Sequence, residues 1–215
     1  MNMPSGAADR VLATARGLNA SGINRGSAGN VSQRVGDGFV ITPTGMDYEA
    51  CVAADMAEVG ADGTARGRRK PSSEWRFHRD IYAARPEAGA IVHAHAPFAT
   101  ALACQRLGVP AFHYMVARFG GDDVRCATYA TFGTQELSDA VVAALDGRCA
   151  CLMAHHGMVA FGRDCGHALA LAIELETLCE QYWRVLQLGA PRLLGGEEMA
   201  LVLAKFASYG QQDAD

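Results

Sequence analysis

The stretch "AGAIVHAHAPFATALA", residues 88–103, joins a short apolar run to two histidines and a proline. The run is short and contains β-branched residues, which is typical of a buried strand, and Pro97 ends it. Side chains two residues apart on a strand lie on the same face, so His93 and His95 project together. A helix is predicted directly afterwards, over residues 98–106. The stretch therefore predicts a strand whose end presents two imidazoles beside the start of a helix.

Strand-like and helical segments alternate on both sides of this stretch. The sequence predicts helices over 7–20, 74–84, 98–106, 134–145, 164–188 and 197–206. It predicts strands over 30–35 and 38–43, around Phe112 and Cys126, and on each side of a break at Gly157. Turn signals at Gly36-Asp37-Gly38 and at Asp62-Gly63 predict two hairpins. Strands and helices interspersed in this way predict one α/β domain over residues 1–215.

The composition is that of an ordinary soluble protein. Of the 215 residues, 50% are hydrophobic and 20% are charged, and the formal net charge is −4. This charge excludes the strongly basic footprint of a nucleic-acid-binding protein. No apolar run approaches the ~20 residues of a membrane span, and the N-terminus lacks a signal-peptide pattern. The seven scattered cysteines form no CxxC pair. We therefore expect a cytoplasmic protein with reduced thiols, without a nucleic-acid or membrane partner.

Further metal-ligand candidates accompany the His93–His95 pair. Glu74 lies at a predicted helix start, and "HHG" places His155 and His156 before Gly157. A catalytic zinc site needs about three protein ligands and an open position. Adjacent residues on a strand point to opposite faces, so only one histidine of "HHG" is expected to bind, and spacing leaves open which one.

Alternatives to a metal site remain. Single histidines are commonly packed or solvated without binding a ligand. A hydrolase of the HxHxDH type is disfavoured, because Pro97 and Phe98 stand where that pattern needs aspartate and histidine. His78, His113 and His167 are expected to be structural or surface residues.

Four short stretches combine glycine with small hydroxyl residues. They are "GSAGN" (26–30), "TPTG" (42–45), "PSSE" (71–74) and "GG" (120–121). Exposed backbone N–H groups, hydroxyls and a helix N-terminus suit a phosphate dianion. Each stretch alone is equally compatible with an ordinary turn. Neither a P-loop nor a dinucleotide-binding glycine motif is present, so a sugar phosphate fits better than a nucleotide.

Six ordered motifs carry a resemblance to a known family. They are "GLNASGINRGSAGNVSQR", "ITPTGMDYE", "KPSSEWRFHRDIYAARPEAGAIVHAHAPFATALA", "PAFHYMVA", "YATFGTQEL" and "HHGMVAFG". Together they resemble the class II aldolases of the L-fuculose-1-phosphate aldolase family, from about residue 8 to "KFASYG" at 205–210. The resemblance implies a three-layer α/β/α domain around a central, mainly antiparallel or mixed sheet. It also implies a homotetramer.

The resemblance assigns roles to individual residues. It implies a zinc ion, with Mn²⁺ or Co²⁺ as alternatives, and the ligands Glu74, His93, His95 and His156. It implies catalytic roles for Glu74, for Tyr114 acting across a subunit interface, and for Tyr209. The phosphate pocket implied by the resemblance comprises Gly29, Asn30, Thr44, Gly45, Ser72 and Ser73.

The implied reaction is the reversible cleavage of a ketose 1-phosphate into dihydroxyacetone phosphate and a small aldehyde. The implied substrates are L-fuculose 1-phosphate and its 5-deoxyribulose or 5-methylthioribulose relatives. Arg118 and Phe119 replace small residues after Tyr114, and we expect both to border the aldehyde end of the site. The same scaffold leaves open a ribulose-phosphate 4-epimerase and a methylthioribulose-1-phosphate dehydratase. An adducin-like association domain is a further alternative, but such domains lack the metal ligands found here.

Overall fold

A computed structural model describes residues 6–208 of the chain, which form one sheet covered by helices. The helices are α1 (Ala7–Ala20), α2 (Trp75–Ala84), α3 (Pro97–Cys104), α4 (Gln135–Ala144), α5 (Cys165–Leu188) and α6 (Gly196–Ser208). The strands are β1 (Asn30–Val35), β2 (Gly38–Ile41), β3 (Ala57–Val59), β4 (Ala65–Arg66), β5 (Ala90–Ala94), β6 (Cys126–Ala127), β7 (Ala150–Met153) and β8 (Gly157–Gly162).

The eight strands are ordered β4-β3-β2-β1-β5-β8-β7-β6. Every neighbouring pair is antiparallel except β6 and β7, which are parallel. Strand β5 is central, and its register places His93 opposite Asn30 of β1 and Val159 of β8. Both predicted hairpins are confirmed, as the β1–β2 and β3–β4 pairs.

Two buried apolar clusters cover opposite faces of the sheet. One cluster contains residues of α1, α3 and α5, and the other contains residues of α2 and α4. Strand β5 is buried along its whole length, with Val92 in the first cluster and Ile91 in the second. His93 lies on the same face as Ile91, toward α2. The three-layer α/β/α arrangement and the mainly antiparallel sheet are confirmed.

Two predicted elements differ in the structure. The strand expected around Phe112 is wrong, because Tyr114–Phe119 form a 3-10 helix. Pro110 has no N–H for a ladder, and its carbonyl accepts a hydrogen bond from Phe112 N at 2.7 Å, which bends the chain. The helix predicted over 98–106 ends at Cys104, because Arg106 adopts a left-handed conformation with φ 56°. The other predicted helices and strands are present with small shifts at their ends.

Two further observations concern membrane-spanning helices and cysteines. No helix among them is long and apolar enough to cross a membrane. All seven cysteines are free thiols.

The first turn of α3 receives its cap from another helix. Ala96, which precedes α3, has no capping side chain, and the carboxylate of Glu176 on α5 accepts hydrogen bonds from Phe98 N and Ala99 N at 2.7 and 2.8 Å. Glu176 is 8% exposed, and burial raises the pKa of its carboxyl above the ordinary value. The contact fixes the start of α3, and with it the chain that carries His95.

We expect Glu176→Ala to lower the free energy of unfolding by about 1–3 kcal/mol, because two buried N–H groups lose their acceptor. The measurement is urea denaturation at neutral pH. Glu180→Ala is the matched control, since Glu180 is a more exposed carboxylate on the same helix, paired with Arg184. This control should cost less than about 1 kcal/mol. Equal losses in the two variants would contradict a capping role for Glu176.

Candidate metal centre

The structure brings three histidines and one carboxylate together at the end of β5. The imidazoles of His93, His95 and His156 offer ligand atoms that all lie within 4.8 Å of one another. We call this group the three-histidine cluster. Glu74 precedes α2, with Oε2 3.2 Å from His93 Nε2 and Oε1 3.0 Å from His156 Nε2. His93 is fully buried and Glu74 is 7% exposed, whereas His156 is half-buried and His95 is exposed, so the group reaches from the interior to the surface.

The hydrogen bonds around His93 show that a cation fits this group. His93 Nδ1 lies 2.8 Å from the carbonyl oxygen of Met158, which only accepts, so Nδ1 carries the proton. In the neutral imidazole, Nε2 is then a bare lone pair facing the carboxylate of Glu74. Among the described residues, His93 Nε2 and Glu74 Oε1 are buried atoms without a hydrogen-bond partner. A bound metal ion satisfies both acceptors, and the Met158 carbonyl fixes the tautomer that metal binding requires.

The electrostatics of the group favour an ionised Glu74 and a neutral His95. Burial opposes ionisation of Glu74, but the adjacent imidazoles of His93 and His156 outweigh it and hold the pKa of Glu74 far below its ordinary value. Burial, together with the nearby imidazoles of His93 and His156, lowers the pKa of His95 to about 4. His95 is therefore a neutral imidazole with a free lone pair at physiological pH.

The turn between β7 and β8 separates the two histidines of "HHG". The expectation that both lie on a strand is wrong, because β7 ends at Met153 and the pair occupies the turn. His155 adopts φ 54°, its N–H donates to the carbonyl of Ala103, and its side chain is exposed. His156 is the member that joins the three-histidine cluster. The left-handed residue, and not strand alternation, decides which imidazole faces the group.

Two glycines allow the backbone to approach the end of β5 closely. A Cβ atom on Gly29 would lie 2.5 Å from the carbonyl oxygen of His93, and one on Gly157 would lie 2.5 Å from that of Ala94. Neither distance is possible for a real side chain. Strands β1 and β8 can therefore flank the histidine-bearing strand only because these positions are glycine.

Several residues expected to bind phosphate line up next to Glu74. Ser72 N donates to Thr42 O at 2.9 Å, and Thr44 N donates to Lys70 O at 3.1 Å, so the "TPTG" and "PSSE" loops lie side by side. Thr44, Gly45 and Ser73 are exposed, whereas Ser72 is buried. Asn30 is buried too, and its Nδ2 donates to Glu74 Oε2 at 2.9 Å. One of its two amide hydrogens is thus committed to Glu74.

Tyr114, one of the two tyrosines expected to be catalytic, does not join the three-histidine cluster of its own chain. Among residues 6–208, the ring of Tyr114 contacts His113 and Phe206 and none of the three histidines of the cluster. Tyr114 is 50% exposed. Tyr209 lies outside the described residues.

The expectation for the two residues after Tyr114 is corrected in part. The expectation that Phe119 borders a substrate is wrong, because its side chain is fully buried in the core. Arg118 pairs with Glu174 of α5 at 3.2 Å.

A cleft lies beside the three-histidine cluster, and two of its lining residues were not among the residues expected from the sequence. Tyr129 and Phe132 line it together with Glu74, His95 and His156. Both aromatic side chains are more than half exposed. The motif "YATFGTQEL" contained these residues, but exposure of an aromatic ring is invisible in a single sequence. Met158, which acts through its backbone carbonyl, left no sequence signal at all.

Fold and site together define a class: a three-layer α/β domain that holds three histidines and a carboxylate at the end of its central strand. A sequence profile described as the Class II Aldolase and Adducin N-terminal domain matches residues 9–183. The chain belongs to this family. Class II aldolases are metal-dependent, and the three-histidine cluster is suited to hold the ion.

Individual relatives match over nearly the whole chain. A 5-methylthioribulose-1-phosphate/5-deoxyribulose-1-phosphate aldolase of Rhodospirillum rubrum is 54% identical, over 93% of this chain and 90% of the relative. An L-fuculose phosphate aldolase of Escherichia coli is 44% identical, over 94% of this chain and 95% of the relative. A solved structure of an L-fuculose 1-phosphate aldolase superimposes with a TM-score of 0.92 at 36% identity, covering 95% of this chain and 97% of the other.

We expect His156→Asn to retain less than about a tenth of the bound metal of the unsubstituted protein, because it removes one of three imidazole ligands. His155→Asn is the matched control on the adjacent residue, and asparagine tolerates the left-handed backbone there. It should retain its metal. Metal content after exhaustive dialysis, with circular dichroism to verify folding, is the measurement. Loss of metal in the His155 variant alone would reverse the assignment.

Proposed function

We propose that this protein is a metal-dependent aldolase that reversibly cleaves a ketose 1-phosphate into dihydroxyacetone phosphate and a small aldehyde. The observation that carries the proposal is the position of Glu74. Its carboxylate lies between His93 and His156 and directly follows the paired hydroxyl-rich loops. A proton carrier, a metal site and a phosphate site thus adjoin one another. Relatives named for ketose 1-phosphate aldolases, 54% and 44% identical, support the same reaction.

The resident metal is Zn²⁺ in this proposal, with Mn²⁺ or Co²⁺ as substitutes. Three imidazole nitrogens and one carboxylate oxygen form a ligand set that zinc favours. When bound, the ion supplies a Lewis acid that stabilises negative charge on the carbonyl oxygen of the substrate.

Side chains and backbone groups of the protein bind the phosphate and transfer the proton. Exposed Ser73 and Thr44, buried Ser72 and the N-terminus of α2 bind the phosphate, with the second amide hydrogen of Asn30 directed to it. Glu74 moves a proton to and from the carbon next to the carbonyl, and its carboxylate is ionised and so able to accept that proton.

The exposed rings of Tyr129 and Phe132 give the cleft an apolar wall. Such a wall suits a substrate that ends in a methyl or methylthio group. The names of the relatives place L-fuculose 1-phosphate and the 5-deoxyribulose and 5-methylthioribulose 1-phosphates in the range to test.

The test of this proposal is dihydroxyacetone phosphate release from these three ketose 1-phosphates, followed by coupled oxidation of NADH. We expect release that a chelator abolishes and that the metal restores. Glu74→Gln should lower kcat by roughly 10²- to 10⁴-fold, because the amide cannot carry the proton. Phe132→Ala should mainly change the preference among the three substrates.

Other outcomes would support the alternatives. Metal-containing protein that releases no dihydroxyacetone phosphate, but isomerises or dehydrates a ketose phosphate, would identify the epimerase or the dehydratase. Protein that binds neither metal nor sugar phosphate would favour an adducin-like association domain.

We further propose that the protein works as a cytoplasmic homotetramer and that Tyr114 completes the site of a neighbouring subunit. The support is local: the half-exposed ring of Tyr114 stacks on Phe206 of α6 and contacts none of the three clustered histidines of its own chain within residues 6–208. In the site of the neighbouring subunit, Tyr114 would exchange a proton with the aldehyde oxygen of the substrate, together with Tyr209.

Mixing two inactive variants tests whether the site is shared. Tyr114→Phe and Glu74→Gln should each be nearly inactive alone. Random hybrid tetramers formed from equal amounts should recover about a quarter of the full activity, because some sites combine an intact Glu74 with an intact Tyr114 from the neighbour. Mixing without subunit exchange is the control. Hybrids as inactive as their parents would place Tyr114 in its own chain's site or outside any site.

A further inference from the structure

A line of buried polar side chains leads away from Glu74 into the protein interior. Asn30 Nδ2 lies 2.9 Å from Glu74 Oε2, and Asn30 Oδ1 lies 2.5 Å from His78 Nε2. His78 Nδ1 lies 2.7 Å from Ser32 Oγ, which lies 2.8 Å from Tyr82 OH. We call Asn30, His78, Ser32 and Tyr82 the buried relay. None of its members is more than 6% exposed.

Two residues along β1 span nearly the same length as four residues along α2, and this match places the relay side chains next to one another. Asn30 and Ser32 are two residues apart on β1, which spans about 6.6 Å. His78 and Tyr82 are four residues apart on α2, which spans about 6.0 Å, and Glu74 lies one further step back. Polar groups on the strand therefore meet polar groups on the helix at each step. Arg34 closes the far end, with its guanidinium 4.7 Å above the ring of Tyr82.

The donor and acceptor of every bond in the relay follow from the first one. An ionised Glu74 only accepts, so Asn30 must turn its NH₂ group toward it and its Oδ1 toward His78. His78 must then carry its proton on Nε2, which leaves Nδ1 as an acceptor. Ser32 donates to Nδ1, and Tyr82 donates to Ser32. Every donor in the relay thus points toward the carboxylate.

His78 can hold this arrangement because it stays neutral. Burial, together with the nearby imidazole of His93, lowers the pKa of His78 to about 3. A neutral imidazole has one donor and one acceptor, which matches the needs of Asn30 and Ser32. The opposite tautomer would face Asn30 Oδ1 with a lone pair, or would force Asn30 to present its oxygen to Glu74. Both alternatives place two acceptors in contact in a buried place, at a cost of about 1–3 kcal/mol.

We infer that His78 is a positioning residue for the proposed reaction: its Nε2–H tautomer locks the amide of Asn30, which holds Glu74 Oε2 and leaves Oε1 as the proton-carrying oxygen. His78 touches Asn30 and not Glu74, so it acts through another residue. The inference rests on the proposed proton transfer by Glu74. The tautomer itself depends only on the hydrogen bonds described above.

The first arm of the test measures the tautomer directly. Long-range ¹H–¹⁵N correlation spectra of the metal-free, full-length protein report which nitrogen of each of the seven histidines is protonated. Comparison with His78→Gln assigns the His78 signals. We expect neutral His78 protonated on Nε2 from pH 5 to pH 9. Protonation on Nδ1, or a charged ring in this range, would overturn the inference.

The second arm measures kinetics in the metal-loaded enzyme. His78→Phe keeps an aromatic ring but removes both hydrogen bonds, and it should lower kcat by about 10- to 100-fold with KM changed less than about threefold. His78→Gln restores one donor and one acceptor and should be at least about fivefold more active than His78→Phe. Tyr82→Phe is the control: it removes the outermost hydroxyl, leaves Ser32 able to donate to His78, and should change kcat less than about threefold.

The outcomes separate this inference from the proposed function. A merely structural role for His78 predicts lower stability and equal activities of the Phe and Gln variants per folded site, which would overturn the inference. A wrong tautomer in an active enzyme overturns the inference alone. A wild-type protein that is inactive on every ketose 1-phosphate removes the proposed function and the part of His78 in it, whatever the tautomer.

Discussion

The contact between the Glu74 carboxylate and the imidazoles of His93 and His156 is the constraint on which the rest of the structure depends. These groups meet where water hardly reaches, and two of their atoms have no hydrogen-bond partner among residues 6–208. Burying such acceptors together is unfavourable unless a cation lies among them. The fold tolerates the arrangement because β5 is packed on both faces by apolar clusters, one of which includes α2.

The groups that surround this contact are mostly uncharged, and each of their hydrogen bonds has a defined donor and acceptor. The Met158 carbonyl sets the tautomer of His93, and Asn30 donates to Glu74 with the buried relay behind it. Glu176 holds the start of α3, two residues beyond His95. The Met158 carbonyl and the Asn30 amide orient their partners without adding a charge, whereas the Glu176 carboxylate acts only on the helix start. Orientation by uncharged hydrogen-bonding groups is expected around side chains that hold a metal ion.

The proposed site combines groups from two subunits. The residues proposed to bind phosphate adjoin Glu74 within one chain, whereas the ring of Tyr114 stacks on Phe206 of α6. An aldolase must hold the phosphate end rigidly and handle a departing aldehyde at the other end. A site divided between subunits would meet both needs, since the rigid half comes from the core and the aldehyde half from an interface.

Local pattern alone determined much of this protein. The short apolar run before His93 predicted the central strand and the shared direction of His93 and His95, and the helical pattern over 164–188 predicted α5. These succeed because period and propensity are properties of neighbouring residues. The motifs also pointed to the family. Only the tertiary structure decided between His155 and His156, moved the chain around Phe112 out of the sheet, and placed Phe119 in the core. It alone revealed the Met158 carbonyl and the partners of His78. The last two depend on contacts between residues 46 to 65 positions apart, such as His78 with Ser32 and His93 with Met158, which no local period encodes.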